Sequence, residues 1–408
     1  MKYIGIISEY NPLHNGHKHQ IDTLRQSFDD NIAIVSLLSS DFLQRGEPAL
    51  LDKYARTNMA LEAGVDIVIE YPAFFCCRSA EDYADNAIYL LDKLNIIDYI
   101  SYGTKINDIV SLKSIAGILI EEPEGFRKFL RTFLDAGHSF ARAREKALID
   151  FLESSQNDAI PSIMRSSNDI LAIEYEKSLL RHKSSIRSFP IKRVGSDYND
   201  PKADGKYSSA TAIRNEIFAS PYLVGPVRDN VPASSFKILT EHTVQHDFIN
   251  FESFKNEIFY ALLSHTDDAL QDYPNVNEGI EHLLKKYVIG SSSVSALISS
   301  CTTKRYPSTR IQRLLTHILL GIDNTMLQEY KRPQYARIIG CSNKGILSGL
   351  FEKSSIPIVT SLRKFYDSAD MSVKHLIDFE NKVCDIYSKH EYKESGQIQS
   401  EFSVKVRI

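Results

Sequence analysis

The sequence predicts an α/β protein: a parallel sheet with helices on both faces, followed by a mostly α-helical region. Two observations carry that prediction. In the first half, short apolar runs at residues 3–7, 32–38, 67–70 and 99–102 alternate with segments of helical spacing such as 53–62, the pattern of strands joined by crossover helices. Beyond Pro221 the spacing turns helical over 251–263, 278–300, 308–320 and 371–389. Two domains are expected on this pattern, 1–222 and 223–408.

Composition sets the class of protein. A chain of 408 residues, 43% hydrophobic and 25% charged, has the make-up of a globular protein able to bury a sizeable core. The formal charge of -4 is no general attraction for nucleic acid, so DNA is not an expected partner and any RNA must meet a local patch. No apolar run approaches the roughly 20 residues that cross a bilayer, and no membrane partner is expected. The five cysteines, Cys76, Cys77, Cys301, Cys341 and Cys384, show no CxxC spacing. With no signal-peptide core at the start, they read as reduced thiols of a cytoplasmic protein.

The first strand candidate, 3–7, runs into SEYNPLHNGHKHQ, residues 8–20. Ile21 and Leu24 continue at helical spacing, so His14 and His17 fall on a strand-to-helix turn. Free backbone N–H groups and the helix dipole attract anions at such a place. Imidazoles there can donate to phosphate oxygens whose charge grows during attack on an α-phosphorus, and Gly16 lets the backbone approach closely. His19 is expected on the surface.

The loops after the strand candidates, 8–16, 39–48, 71–81 and 103–108, are expected to converge at the carboxyl ends of the sheet, where ligands of such sheets bind. In the second loop Arg45 could hold a carboxylate substrate bidentately, or pair with Glu47 or a neighbouring acid. Asp66 and Glu70 bracket the third strand and read as structural. A fifth strand candidate, 188–194, precedes YSSATAIRNEIF, residues 207–218. Ser208 or Ser209 caps a helix whose apolar face is Ile213, Ile217 and Phe218. Hydroxyls at that helix start, with Arg214 one turn on, could hold the β and γ phosphates and carry the charge of departing pyrophosphate. Farther on, Lys304, Arg305, Arg310, Arg313, Lys331, Arg332, Arg337 and Lys344 have few acids among them and are interleaved with Tyr306, Tyr330 and Tyr335. Basic residues that meet phosphates, beside aromatics that stack on unpaired bases, form a candidate RNA patch.

The HxGH turn with the serine-rich helix start resembles the HIGH-type nucleotidyltransferase superfamily, whose fold is Rossmann-like. Tyr207 and Ala210 depart from the usual ISSTxxR wording, while Ser208, Ser209, Thr211 and Arg214 keep its polar positions. EYNPLHNGH, FLQRGEPALLDKYARTNMALEAGVDIVIEYP, SSNDILAIEY, FPIKRVGSDYND and KRYPSTRIQRLLTHILLG together resemble the bacterial tRNA(Met) cytidine acetate ligase family over nearly the whole chain. That resemblance implies an enzyme that activates acetate with ATP as acetyl-adenylate, with Mg²⁺ accompanying the nucleotide. It then acetylates N4 of the wobble cytidine of elongator tRNA(Met). Carried over by position, His14, His17 and Arg214 would be catalytic. ATP would be held along 7–20, notably by Ile7, Ser8, Asn11, Pro12, His14, Gly16, His17 and Gln20, and by Gly103, Asn168, Arg193, Ser208 and Ser209. On their own chemistry Arg45 is expected to meet acetate, and Lys304, Arg305, Arg310 and Arg313 of the basic patch are expected to meet tRNA; no metal-ligand cluster is expected. Lys105 and Ser40-Asp41 depart from the family's pattern. Two other readings stay open: an adenylyltransferase for a small phosphorylated metabolite, and a non-catalytic RNA-binding protein with a nucleotide site.

Overall fold

The computed structural model describes residues 1–105, 108–138, 140–154, 167–194, 207–220, 223, 225–393 and 400–407. Its centre is a seven-stranded sheet in the order β5-β4-β1-β2-β3-β6-β7. The strands are β1 (Lys2–Ser8), β2 (Ile32–Ser39), β3 (Ile67–Tyr71), β4 (Tyr99–Thr104), β5 (Arg187–Lys192), β6 (Ala336–Cys341) and β7 (Ile358–Val359). The first five are mutually parallel, joined by crossover helices including α1 (Asn15–Ser27), α2 (Lys53–Glu62), α3 (Ala80–Lys93) and α4 (Ser167–Arg181). Their apolar continuity follows from being covered on both faces. Along β2, Ile34 and Leu38 pack into one core with Ile21 and Leu24 of α1, while Val35 and Leu37 enter the other core with Ile88 and Leu91 of α3.

The chain beyond 223 is mainly helical, yet it also completes the sheet. β6 pairs antiparallel with β3, and β7 pairs with β6. The helices of this region, including α6 (Ser308–Leu320) and α7 (Met371–Glu391), share a continuous apolar core with the β2–β3 face. α5 (Ala210–Ala219) lies on the opposite face. It buries Ala212, Ile213 and Ile217 but leaves Phe218 43% exposed, so Phe218 is not part of its apolar face. The 278–300 segment is two helices, Ile280–Val288 and Val294–Cys301, separated at Gly290 and a run of serines.

Asp66 and Glu70 take structural roles. Asp66 pairs with Arg25 at 2.6 Å and accepts the Ile34 N–H. Glu70 sits in a buried network with Lys53 (2.5 Å) and Arg337 (3.1 Å), and Glu401 of the C-terminal segment joins both cations. Burial alone would raise the Glu401 carboxyl, yet Lys53 and Arg337 bring it down to about 2. All five cysteines are free and buried. Among the described residues no helix is long and apolar enough to cross a membrane.

Candidate active site

After β1 the chain moves to β2 on one side, whereas β4 occupies the other side of β1. That reversal opens a crevice at the strands' carboxyl ends, the usual ligand position in such sheets. Its wall carries the ends of β1 (Ile6 to Ser8), β4 (Ser101 to Gly103) and β5 (Ile191 and Lys192), with the start of α1 beneath.

The two signature histidines close the turn onto α1. His14 is the N-cap, with extended φ of -121°, and its Nδ1 accepts the Gly16 N–H at 3.0 Å. His17 Nδ1 accepts the His14 N–H at 3.2 Å. The rings stack at 3.7 Å, and Tyr10 meets His17 edge-on at 5.1 Å. Burial, reinforced by Arg193 and Arg214, takes the His14 imidazole down to about 3. Burial, His14 and Arg193 hold His17 well below its usual value. Both rings are therefore neutral near pH 7. A neutral imidazole whose Nδ1 accepts a hydrogen bond carries its proton on Nε2, so each ring is a neutral Nε2–H donor. Gly16 is required by the close packing: a Cβ there would lie 2.9 Å from His14 Cε1. At Gly103 a Cβ would lie 3.1 Å from Arg193 Cγ, so the glycine admits the Arg193 side chain against the end of β4.

Ser208, on the same lining, is buried, its N–H donates to Asn230 Oδ1 at 2.8 Å, and its Oγ has no hydrogen-bond partner among the described residues. A buried hydroxyl without a partner is costly, and this one borders the crevice. Ser209 is committed to the fold, its Oγ accepting the Ala212 N–H as N-cap of α5. Gln20 donates to Ser101 Oγ at 3.2 Å across the floor. Glu9 accepts the Gln44 N–H at 3.0 Å. Burial, aided by Glu47, raises its carboxyl against the opposing pull of Gln44, Arg45 and Arg214. Neutral donors, two arginines and an unsatisfied hydroxyl around a helix N-terminus are suited to a polyphosphate.

Comparison with known proteins agrees with this geometry. A family model described as HIGH Nucleotidyl Transferase matches residues 1–401. A tRNA(Met) cytidine acetate ligase of Acetivibrio thermocellus is 39% identical, over 95% of this chain and 94% of that one. Another from Thermoanaerobacter sp. (strain X514) is 38% identical over 97% of each. The chain belongs to the tRNA(Met) cytidine acetate ligase family. Two crystal structures of TmcAL from Thermotoga maritima, each 32% identical and covering 100% of this chain, superpose at TM-scores of 0.93 for the apo form and 0.89 for the form bound with alpha-thio ATP.

Within this family member, the crevice brings together Ile7, Ser8, His14, Gly16, His17, Gln20, Arg45, Gly103, Arg193 and Ser208. Other expected residues stand behind it. Asn11 accepts the Leu50 N–H on Oδ1 at 2.7 Å, and Pro12, like Ser209, is not on the wall. Arg214 donates to the Asn11 carbonyl at 2.8 Å and pairs with Glu47 at 3.2 Å, bracing the turn. The Asn168 side chain lies outside the described residues. His19 borders the crevice, 6.1 Å from the Tyr207 ring, rather than standing apart on the surface.

The basic cluster is not one open patch. Lys304 is exposed. Arg305 pairs with Glu278 at 3.0 Å, and Arg310 binds Asn277 Oδ1 at 2.5 Å and lies over the Tyr306 ring. Arg337 belongs to the buried network, and Tyr306, Tyr330 and Tyr335 are core residues, unavailable for stacking on bases. Sequence reading passed over Glu9, although it lies inside the quoted motif, and Tyr83 and Tyr175, which α3 and α4 carry to the wall. Only Glu9 left a local signal, a carboxylate directly after an apolar strand.

Proposed function

We propose that this chain is an ATP-dependent ligase that forms acetyl-AMP and acetylates N4 of the wobble cytidine of elongator tRNA(Met). The observation that carries the reading is the pair of stacked, neutral Nε2–H imidazoles at the α1 N-terminus, in a crevice that Ser208 and Arg193 also line. The names of its relatives, and the nucleotide analogue in the Thermotoga maritima structure, support the same assignment. Acetate is inert toward an amine until one of its oxygens joins a good leaving group. An acetate oxygen attacks the α-phosphorus, the bond to the β-phosphate oxygen breaks, and pyrophosphate leaves. The Nε2–H donors of His14 and His17, with Arg193, stabilise the charge that grows on the phosphate oxygens, without gaining or losing protons themselves. Ser208 accepts a place in the phosphate cradle, and Arg214 keeps the turn in position. The cytidine N4 amine then attacks the acetyl carbon, loses a proton and releases AMP. Its lone pair is delocalised into the ring, so a mixed anhydride held close to it is the carrier the chemistry needs.

Among the described residues no group of three or more His, Cys, Asp or Glu side chains could hold a metal ion. Mg²⁺ would accompany ATP through phosphate oxygens and water. The reaction runs in the cytoplasm. The test supplies purified protein with elongator tRNA(Met) and either acetate plus ATP or acetyl-CoA, then seeks N4-acetylcytidine by mass spectrometry of the digested RNA. Product with acetate and ATP, together with stoichiometric AMP, is expected. Product from acetyl-CoA without ATP, or ATP consumption that yields no AMP, overturns the assignment.

A further inference from the structure

One charged side chain near the crevice is unsatisfied. Arg313 lies on α6 and is partly buried, with no hydrogen bond or ion pair among the described residues. The carboxylate that attracts it, Asp82, is outside ion-pair distance and is held by the Ser79 hydroxyl at 2.8 Å. Two of the groups acting on it, Arg310 and Arg45, are cations, and burial together with their repulsion brings its guanidinium down to about 10. A largely desolvated cation beside other cations is a standing cost unless an anion arrives.

Its surroundings indicate where that anion comes from. Gly46 packs directly on the Arg313 backbone, where a Cβ would lie 2.6 Å from Arg313 Cα. One residue earlier in the same loop, Arg45 lines the crevice. On the outer side, Arg310 precedes Arg313 by three positions and so shares its helix face, and exposed Lys304 and Arg305 continue outward. Arg305 and Arg310 share Glu278, which leaves Arg313 as the cation of this face that lies nearest the Arg45 loop. The nucleotide-facing donors, His14, His17, Ser208 and Arg193, come from other elements, at β1, β5 and the starts of α1 and α5.

We propose that Arg313, together with Arg45, binds a backbone phosphate of the RNA substrate at the crevice mouth, positioning the target base over the activated acyl group. The assignment rests on the proposed function for the identity of the RNA, and on the unpaired guanidinium for the presence of an anion site. Arg313 is here a positioning residue that grips one phosphate close to the reacting nucleotide, whereas Lys304 and Arg305 meet the RNA farther out.

The experiment compares wild type with Arg313→Met, Arg313→Lys and Arg45→Gln in four measurements: tRNA affinity against salt concentration, acetyl transfer to tRNA, acetate-dependent ATP–pyrophosphate exchange without tRNA, and thermal unfolding. A lost charge-assisted phosphate contact weakens tRNA binding roughly tenfold to a hundredfold. It also makes the log–log salt slope shallower by about 0.7 for a single-stranded site. For Arg313→Met both changes are expected, with acetyl transfer falling at least tenfold more than exchange. Its melting temperature should equal or exceed that of wild type, because an unpaired buried charge has been removed. Arg313→Lys should recover part of the affinity. Arg45→Gln, changed on the loop rather than on α6, should reproduce the salt effect. Unchanged tRNA affinity and slope in Arg313→Met overturn the proposal. A raised KM for ATP or acetate with normal tRNA binding also overturns it, since that places a different anion at the site. Failure of wild type to acetylate tRNA with acetate and ATP would instead overturn the proposed function, leaving the affinity and salt measurements to judge the anion site alone.

Discussion

His17 performs two tasks with two different nitrogens, and substitution can separate them. Nδ1 accepts the His14 N–H and helps to close the start of α1, while Nε2–H is the donor that the proposed reaction directs to the transferring phosphate. His17→Ala removes both. The lost cap contributes about 1 kcal/mol, and the emptied place of the ring against His14 and Tyr10 adds a cavity term of similar size, giving about 2 kcal/mol of destabilisation. The lost donor lowers the rate of acetate-dependent ATP–pyrophosphate exchange by about 10²–10³, equivalent to about 3–4 kcal/mol of transition-state stabilisation. Asn places an amide oxygen where Nδ1 stands, and Gln places an amide nitrogen near Nε2. His17→Asn should therefore recover stability but not exchange, and His17→Gln should recover exchange to within about tenfold while remaining less stable. Exchange kinetics and urea unfolding of the three variants provide the measurement. Near wild-type exchange in His17→Asn would refute the assignment of catalysis to the Nε2–H donor.

Three further outcomes are expected. Folding depresses the His14 imidazole from 6.5 to about 3, so the unfolded chain takes up this proton first as pH falls. Wild type should lose stability relative to His14→Gln by about 1.4 kcal/mol per pH unit below 6.5 and above 3, measured by urea unfolding at stepped pH; a constant difference would show that the ring is not held neutral. Gly46→Ala would need a residue at φ of +88° and would drive its Cβ to 2.6 Å from the Arg313 backbone, so a loss above the roughly 1 kcal/mol of a left-handed alanine alone is expected in thermal unfolding, and a silent change would contradict the packing of this loop on α6. Lys53→Met removes one of the two cations, Lys53 and Arg337, that pair with Glu70 and Glu401 in the buried network and should cost about 3–5 kcal/mol; a change under about 1 kcal/mol by denaturant titration would show that the network is not tightly coupled.

Much of the crevice was legible because its signals are local. A buried parallel strand shows as an apolar run, a strand-to-helix turn shows in the residues that cap it, and HxGH falls within four residues, so the alternation of residues 1–104 and the positions of His14, Gly16 and His17 could be read directly. The same locality explains Ser208, one residue before the cap of α5. Tertiary packing decided what depends on distant partners. β6 lies more than 260 residues beyond β3, and its short run containing Arg337 reads as a basic stretch until Glu70 and Glu401 neutralise that charge in the core. Tyr306, Tyr330 and Tyr335 alternate with cations in sequence, but the helical core takes up their rings. Arg214 carries the family's spacing and nevertheless braces Asn11 and Glu47. By itself the sequence determined which residue types stand at each turn and helix start, since backbone hydrogen bonding and capping act over a few residues. Only the tertiary structure decided which charges are paired, because an arginine's partner is set by what folds against it: Glu278 meets Arg305, Glu401 meets Arg337, and Arg313, packed under Gly46, has none among the described residues.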